Sequence, residues 1–205
     1  MTHLDQLALD NKNIDTILVL DFGSQYNQLI ARRIRELDVF SVILPWDISK
    51  ERIAELNPSG IILSGGPESV TNNNTPRIPE IIFDLEIPIL GICYGMQTLA
   101  EQFGGQVTPS KTKEFGHVSI TIETACILFD GFDTGSSVNV WMSHGDHVSS
   151  LPDQFNIIAS TPSAPIAAMA HNVKPIYALQ FHPEVTHTKD GNACLLYTSD
   201  AADDP

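Results

Sequence analysis

Pro88-Ile89-Leu90-Gly91-Ile92-Cys93-Tyr94-Gly95-Met96-Gln97-Thr98-Leu99-Ala100-Glu101-Gln102-Phe103 is the stretch that decides the fold. An apolar run of strand length, 88–92, turns sharply into a helical pattern, 96–103, which Gly104-Gly105 then stops. The same unit recurs toward the N-terminus. Residues 17–20 form an apolar run closing in Asp21-Phe22-Gly23-Ser24, followed by Leu29, Ile30, Ile34 and Leu37 at helical spacing, with Arg32, Arg33, Arg35 and Glu36 on the other face. Residues 39–44 read as a strand, 49–56 as a helix with Ser49 as N-cap, 60–63 as a buried strand and 78–85 as a helix. Strands alternating with helices imply a three-layer α/β fold. Its central sheet should be mostly parallel with helices on both faces, and its functional groups should follow the strand ends.

Toward the C-terminus the pattern becomes strand-rich, with 118–122, 138–142, 156–159, 166–169 and 175–181, the last running directly into His182-Pro183-Glu184. Residues 1–14 read as a loose extension and 15–192 as one domain. Residues 193–205 read as an anomalous tail of small and acidic residues without a helical apolar stripe, to which no function is given.

Composition narrows the function classes. The 205 residues carry 11 Lys and Arg against 25 Asp and Glu, a formal charge of −14. Such a balance opposes a nucleic-acid partner, because that affinity comes mainly from cations neutralising phosphates. With 42% hydrophobic residues but no run approaching the ~20 apolar residues of a membrane span, the reading is a soluble cytoplasmic protein with no membrane partner. Cys93, Cys126 and Cys194 are odd in number and widely spaced, against a disulfide framework and against a CxxC metal site.

Gly91-Ile92-Cys93-Tyr94-Gly95 is a glycine-flanked nucleophile elbow written with cysteine. The helix that follows directs its positive end and free N–H groups at the sulfur, which favours a thiolate. Cys126, between Ala125 and Ile127, fits an inert structural thiol. A thiol nucleophile needs a base. His182 closes a strand, and Pro183 holds its predecessor extended, so the side chains at 182 and 184 share a side and Glu184 can orient the imidazole. Cys93, His182 and Glu184 thus form a candidate triad. Ser64-Gly65-Gly66-Pro67-Glu68-Ser69 resembles the SGGxDS phosphate loop of ATP pyrophosphatases, yet Pro67 lacks an N–H and Glu68 replaces the aspartate. An oxyanion hole is the stronger reading, with N–H groups near Gly65 and Gly66 joining that of Tyr94. Ser143-His144-Gly145-Asp146-His147 reads as a polar substrate-binding turn, since nothing supplies further metal ligands at zinc-like spacing.

These motifs together resemble the class I glutamine amidotransferases over residues 17–188. The flanks Phe22-Gly23-Ser24-Gln25-Tyr26, Ser64-Gly65-Gly66-Pro67-Glu68-Ser69, Ser143-His144-Gly145-Asp146 and Phe181-His182-Pro183-Glu184-Val185-Thr186-His187-Thr188 favour the branch that feeds ammonia to GMP synthesis. The resemblance implies a flavodoxin-like sheet and L-glutamine as substrate. It implies that Cys93 attacks the carboxamide, that His182 protonates ammonia and then activates water, and that Glu184 orients His182. It implies oxyanion donors at Gly65 and Tyr94, and contacts to the amino-acid end of glutamine from Gln97, Ser143, His144, Gly145 and Asp146. No cofactor or metal is expected in this domain. ATP and Mg would belong to a separate ATP-pyrophosphatase synthetase domain that adenylates xanthosine monophosphate (XMP). Three other readings remain beside it: the glutaminase domain of another class I amidotransferase, a stand-alone γ-glutamyl hydrolase with the same triad, and a glutamine sensor without catalysis.

Overall fold

Ile17, Leu18, Val19 and Leu20 are all fully buried, as are Ile61, Ile62 and Leu63, so their strands are covered on both faces. Alternate residues enter two different cores. Leu18, Leu20, Ile61 and Leu63 join one apolar cluster with Ile53, Tyr94 and Leu99, while Ile17, Val19, Ile62 and Leu90 join the other with Ile30, Ile34, Phe181 and Leu195.

The computed structural model describes residues 15–200, except for the side chains at 111–113 and 198–200. In chain order the elements are β1 (Thr16–Asp21), α1 (Asn27–Glu36), β2 (Phe40–Pro45), α2 (Lys50–Leu56), β3 (Gly60–Leu63), a 3-10 turn (Glu80–Asp84), β4 (Ile89–Ile92), α3 (Tyr94–Gln102) and β5 (Gln106–Ile122). A second 3-10 turn (Ile127–Phe129), β6 (Ser137–Ser150), β7 (Phe155–Ser160), β8 (Ala168–His171), β9 (Ile176–Leu179) and α4 (Gly191–Asp200) complete it. The strands form one sheet of order β2-β1-β3-β4-β9-β8-β7-β5-β6. From β2 across to β9 all pairings are parallel, and from β9 across to β6 all are antiparallel. The strand-rich second half therefore extends the same sheet. Among the described residues, no helix is long and apolar enough to cross a membrane.

Ser49 caps α2 as its sequence suggests, its side chain accepting from the Arg52 N–H, a contact of the kind that contributes ~1 kcal/mol. Three expectations are corrected. Residues 78–85 hold only the 3-10 turn, because Pro79 stands at its start and Glu86 leaves it with φ +55°. Residues 143–147 are no turn but part of β6, whose partner β5 shifts register between Pro109 and Glu114 and so absorbs the irregularity. The tail is helical as far as Asp200, with Cys194, Leu195 and Tyr197 buried. Cys194 and Leu195 recur three and four residues after Gly191, an apolar stripe too short to stand out in the sequence. A side chain on Gly191 would run into the Pro183 carbonyl, so α4 starts against the His182-Pro183-Glu184 segment. Residues 1–14 and 201–205 lie outside the described residues.

Candidate active site

The parallel pairing of β4 with β9 brings the two ends that carry Cys93 and His182 side by side. Ile92 is in register with Leu179, and the Cys93 N–H donates to the Leu179 carbonyl at 2.7 Å. Cys93 takes φ +52° and ψ −104°, a left-handed region in which a residue with a side chain is strained by ~1–3 kcal/mol. The surroundings hold it there. A side chain on Gly95 would collide with the Leu63 carbonyl, so only glycine lets the first turn of α3 close against β3. The Gly95 N–H is used by the Ser64 carbonyl at 3.0 Å and that of Gln97 by the Cys93 carbonyl at 3.1 Å. The Tyr94 N–H stands ahead of both in the same first turn.

His182 is fastened from two sides. Its N–H donates to the Trp141 carbonyl at 3.0 Å, and its carbonyl accepts from the Thr188 hydroxyl at 2.7 Å, while Thr188 Oγ1 also accepts from the Trp141 N–H. Its Nδ1 lies 2.7 Å from Glu184 Oε1, and the Tyr26 ring meets its edge with centroids 5.4 Å apart. Both side chains are buried. Burial disfavours the charged ring, but hydrogen bonds and electrostatic interactions with Cys93 and Glu184 outweigh it and push the imidazole up to about 11. The ring is therefore held as an imidazolium between sulfur and carboxylate. The second oxygen of Glu184, Oε2, is buried and has no hydrogen-bond partner among the described residues, so there this carboxylate serves His182 alone. Gly65 lies over the same group: a Cβ there would stand 3.4 Å from His182 Cε1 and 3.8 Å from Cys93 Cβ.

Two openings meet at Cys93. One, of about 400 Å³, is lined by Gly66, Tyr94, Gln97, Ser143, His144, Gly145 and Asp146 among others. The other, of about 360 Å³, is lined by residues 23–26, Gly65, Ser143 and His182. All ten candidate residues thus gather around one sulfur, with Glu184 behind His182. Gln97 faces strand β6, its Nε2 donating to the Asp146 carbonyl at 2.8 Å. His144 Nε2 lies 3.1 Å from Glu114 Oε2, and its Nδ1 lies 3.0 Å from the Asp146 carbonyl. Burial holds this imidazole below its usual range despite the nearby Glu114 carboxylate. Among the described residues, no three of His, Cys, Asp and Glu cluster to hold a metal ion. Cys126 stands apart, its thiol pushed up by burial.

Sequence reasoning missed two residues of this site. Glu114, thirty positions before His144, carries no local signal. Gln180 had one: it is a polar residue in an apolar strand run and shares the two-residue period of His182 and Glu184. It is fully buried, with Nε2 3.7 Å from Cys93 Sγ.

The model of the glutamine amidotransferase class-I family matches residues 18–197. The chain is 55% identical over 192 residues to the glutamine-hydrolysing GMP synthase of Hamiltonella defensa, covering 90% of this chain and 37% of that protein. It is 54% identical over 185 residues to the corresponding enzyme of Pseudomonas putida, covering 87% and 35%. It thus spans little more than a third of the length of these relatives. The solved structure of a candidate GMP synthase subunit from Thermoplasma acidophilum aligns with a TM-score of 0.82 at 32% identity, covering 93% of this chain and 95% of that one. A glutamine amidotransferase from Thermotoga maritima, at 19% identity and a TM-score of 0.71 over 93% and 99%, shares the fold. With the family model matching nearly the whole described chain, the protein belongs to the class I glutamine amidotransferases.

Proposed function

We propose that this chain is the glutaminase part of a GMP synthase, which hydrolyses L-glutamine to glutamate and ammonia through a γ-glutamyl thioester on Cys93. The observation that carries the reading is a thiol on a strained helix-start elbow, backed by the buried His182 and Glu184 pair and opening into a cavity of about 400 Å³. Glutamine lies in that cavity with its carboxamide at Cys93. Its amino-acid end meets Gln97, Ser143, His144, Gly145 and Asp146, where the Asp146 carboxylate suits an ammonium group. The sulfur forms a bond to the amide carbon, and the oxygen takes up the charge beneath the N–H groups of Tyr94 and Gly65, donors typically contributing ~3 kcal/mol each to the transition state.

His182 gives its proton to the amide nitrogen as the carbon–nitrogen bond breaks, and ammonia leaves. Once the sulfur is acylated its negative charge is gone, so burial weighs again toward a neutral ring. The neutral His182 then takes a proton from water, whose oxygen attacks the thioester and expels the thiolate. Glu184 keeps the imidazole in one tautomer and orientation through both steps.

The ammonia would aminate XMP adenylated in an ATP-pyrophosphatase domain that uses ATP and Mg, a region for which the remaining length of the curated relatives leaves room. Neither nucleic acid nor membrane takes part, no cofactor is assigned to this chain, and the place of action is the cytoplasm. The test supplies glutamine to the chain, alone and with the synthetase region of a relative, ATP, Mg and XMP. Glutamate and ammonia in equal amounts, with GMP only when the synthetase region is present, is the expected result. Turnover of γ-glutamyl peptides in preference to glutamine, or GMP from this chain alone, would overturn it.

A further inference from the structure

The nucleophile has polar neighbours beyond His182. Cys93 Sγ lies 3.7 Å from the Ser143 carbonyl oxygen and 3.7 Å from Gln180 Nε2. These two contacts favour opposite protonation states. A carbonyl accepts from S–H and repels a thiolate, whereas an amide N–H favours the charged sulfur.

The orientation of Gln180 is fixed by a chain of hydrogen bonds that begins at the backbone. The Asp146 carbonyl can only accept, so the Gln97 atom 2.8 Å from it is Nε2. That same nitrogen lies 3.4 Å from the Gln180 side chain, whose facing atom must therefore be the acceptor Oε1. The amide of Gln180 is left with its nitrogen toward the sulfur. Gln180, Gln97 and Cys93 are all buried. Gln180 also follows Leu179, whose carbonyl receives the Cys93 N–H, so nucleophile and donor sit on neighbouring strand ends in a fixed register.

We propose that Gln180 is a further catalytic residue, its side-chain N–H stabilising the Cys93 thiolate and aiming it, with Gln97 and the Asp146 carbonyl locking the amide in that orientation. The proposal rests on the reading of Cys93 as nucleophile. It makes Gln97 serve two ends, lining the substrate cavity with one and setting the Gln180 amide with the other. Loss of the N–H should slow attack by the sulfur more than it weakens glutamine binding, because the contact is to the reacting atom.

The test measures alkylation of Cys93 by iodoacetamide from pH 5 to 10, in the unaltered chain and in Gln180→Met and Gln180→Glu. Met keeps the volume without the donor, and Glu replaces the donor by a negative oxygen. At pH 6 the rate should fall about tenfold in Gln180→Met and further in Gln180→Glu, with the gap closing as the pH rises and the thiolate forms unaided. A space-filling role would leave Gln180→Met at the rate of the unaltered chain at every pH, which would overturn the proposal. Glutamine kinetics should show kcat falling about tenfold with KM within a factor of two. Because both variants alter a buried position, a measurement on the unaltered sequence stands beside them. The side-chain amide protons of Gln180, observed with ¹⁵N-labelled glutamine residues, should shift when Cys93 is alkylated, and an unmoved signal would overturn the proposal equally. Alkylation needs no substrate, so these results stand whether or not glutamine is hydrolysed, and a failed glutaminase assay counts only against the proposed function.

Discussion

His182 against Glu184 and His144 against Glu114 are the same chemical pair built twice beside one sulfur, at 2.7 Å and 3.1 Å, with both imidazoles buried. They titrate in opposite directions. Burial acts against the charged ring in each, but His182 lies against both the Cys93 sulfur and the Glu184 carboxylate and is held up at about 11, whereas His144 has the Glu114 carboxylate alone and is held below the usual histidine range. Glu114 is also shared, since its other oxygen accepts from Ser163, whereas Glu184 Oε2 has no partner among the described residues. An undivided carboxylate plus a thiol makes a proton donor. At His144 burial outweighs a divided carboxylate and a backbone carbonyl, and the neutral ring, with one N–H, donates to only one of these two acceptors.

Activity should separate the pairs most strongly. Under the proposed function His182→Ala removes both the acid and the base, and glutamine hydrolysis should fall by ~10⁴ or more, while His144→Ala should act mainly through KM, by about tenfold. An inactive His144→Ala beside an active His182→Ala would reverse the assignment, as steady-state ammonia assays would reveal. Glu184→Gln should cost less in kcat, because the amide oxygen can still accept from Nδ1 although its charge is gone. An effect as large as that of His182→Ala would mean that the charge of Glu184, and not its hydrogen bond, carries its role.

Ring titration sharpens the contrast directly. Across pH 7 to 9 the NMR signals of His182 should remain those of an imidazolium, losing the proton only as the pH nears 11, and those of His144 should already be neutral at pH 7. Changing Cys93 to Ala removes the sulfur whose interaction raises the ring, so the His182 midpoint should drop. A midpoint unmoved by Cys93→Ala would show that the sulfur lends it no support. The smallest effect belongs to Glu114→Gln. It keeps a hydrogen bond to His144 and removes a carboxylate charge facing a ring that burial already holds below its usual range, so thermal stability should change by no more than ~1 kcal/mol, readable in a melting curve.

The unequal legibility of the two pairs in the sequence has a physical basis. Cys93 and His182 stand where apolar strand runs stop, and Pro183 extends the chain so that 182 and 184 share a side. These signals are local, and strand β4 needs only to pair with β9 for them to meet. Gln180 obeys the same two-residue period and was within reach of the same argument. The partnership of His144 with Glu114 was not. It depends on a register shift in β5 between Pro109 and Glu114, and a shift of pairing leaves no trace in either strand's own pattern. Glycine and aspartate within 143–147 suggest a turn when read alone, and only pairing with β5 keeps that segment extended. The helix at 191–200 escaped for a related reason, since its buried face is small and its packing partners, α1 and the turn at Ile127–Phe129, are distant in sequence.

Under the proposed function, the charge pattern around Cys93 makes it the nucleophile of glutamine hydrolysis. The decisive comparison is ammonia release from glutamine by Cys93→Ala and by Cys126→Ala, both shown folded by their melting curves. Cys93→Ala should give no detectable ammonia above the uncatalysed rate, and Cys126→Ala most of the unaltered rate. Sustained ammonia release by Cys93→Ala would contradict the assignment.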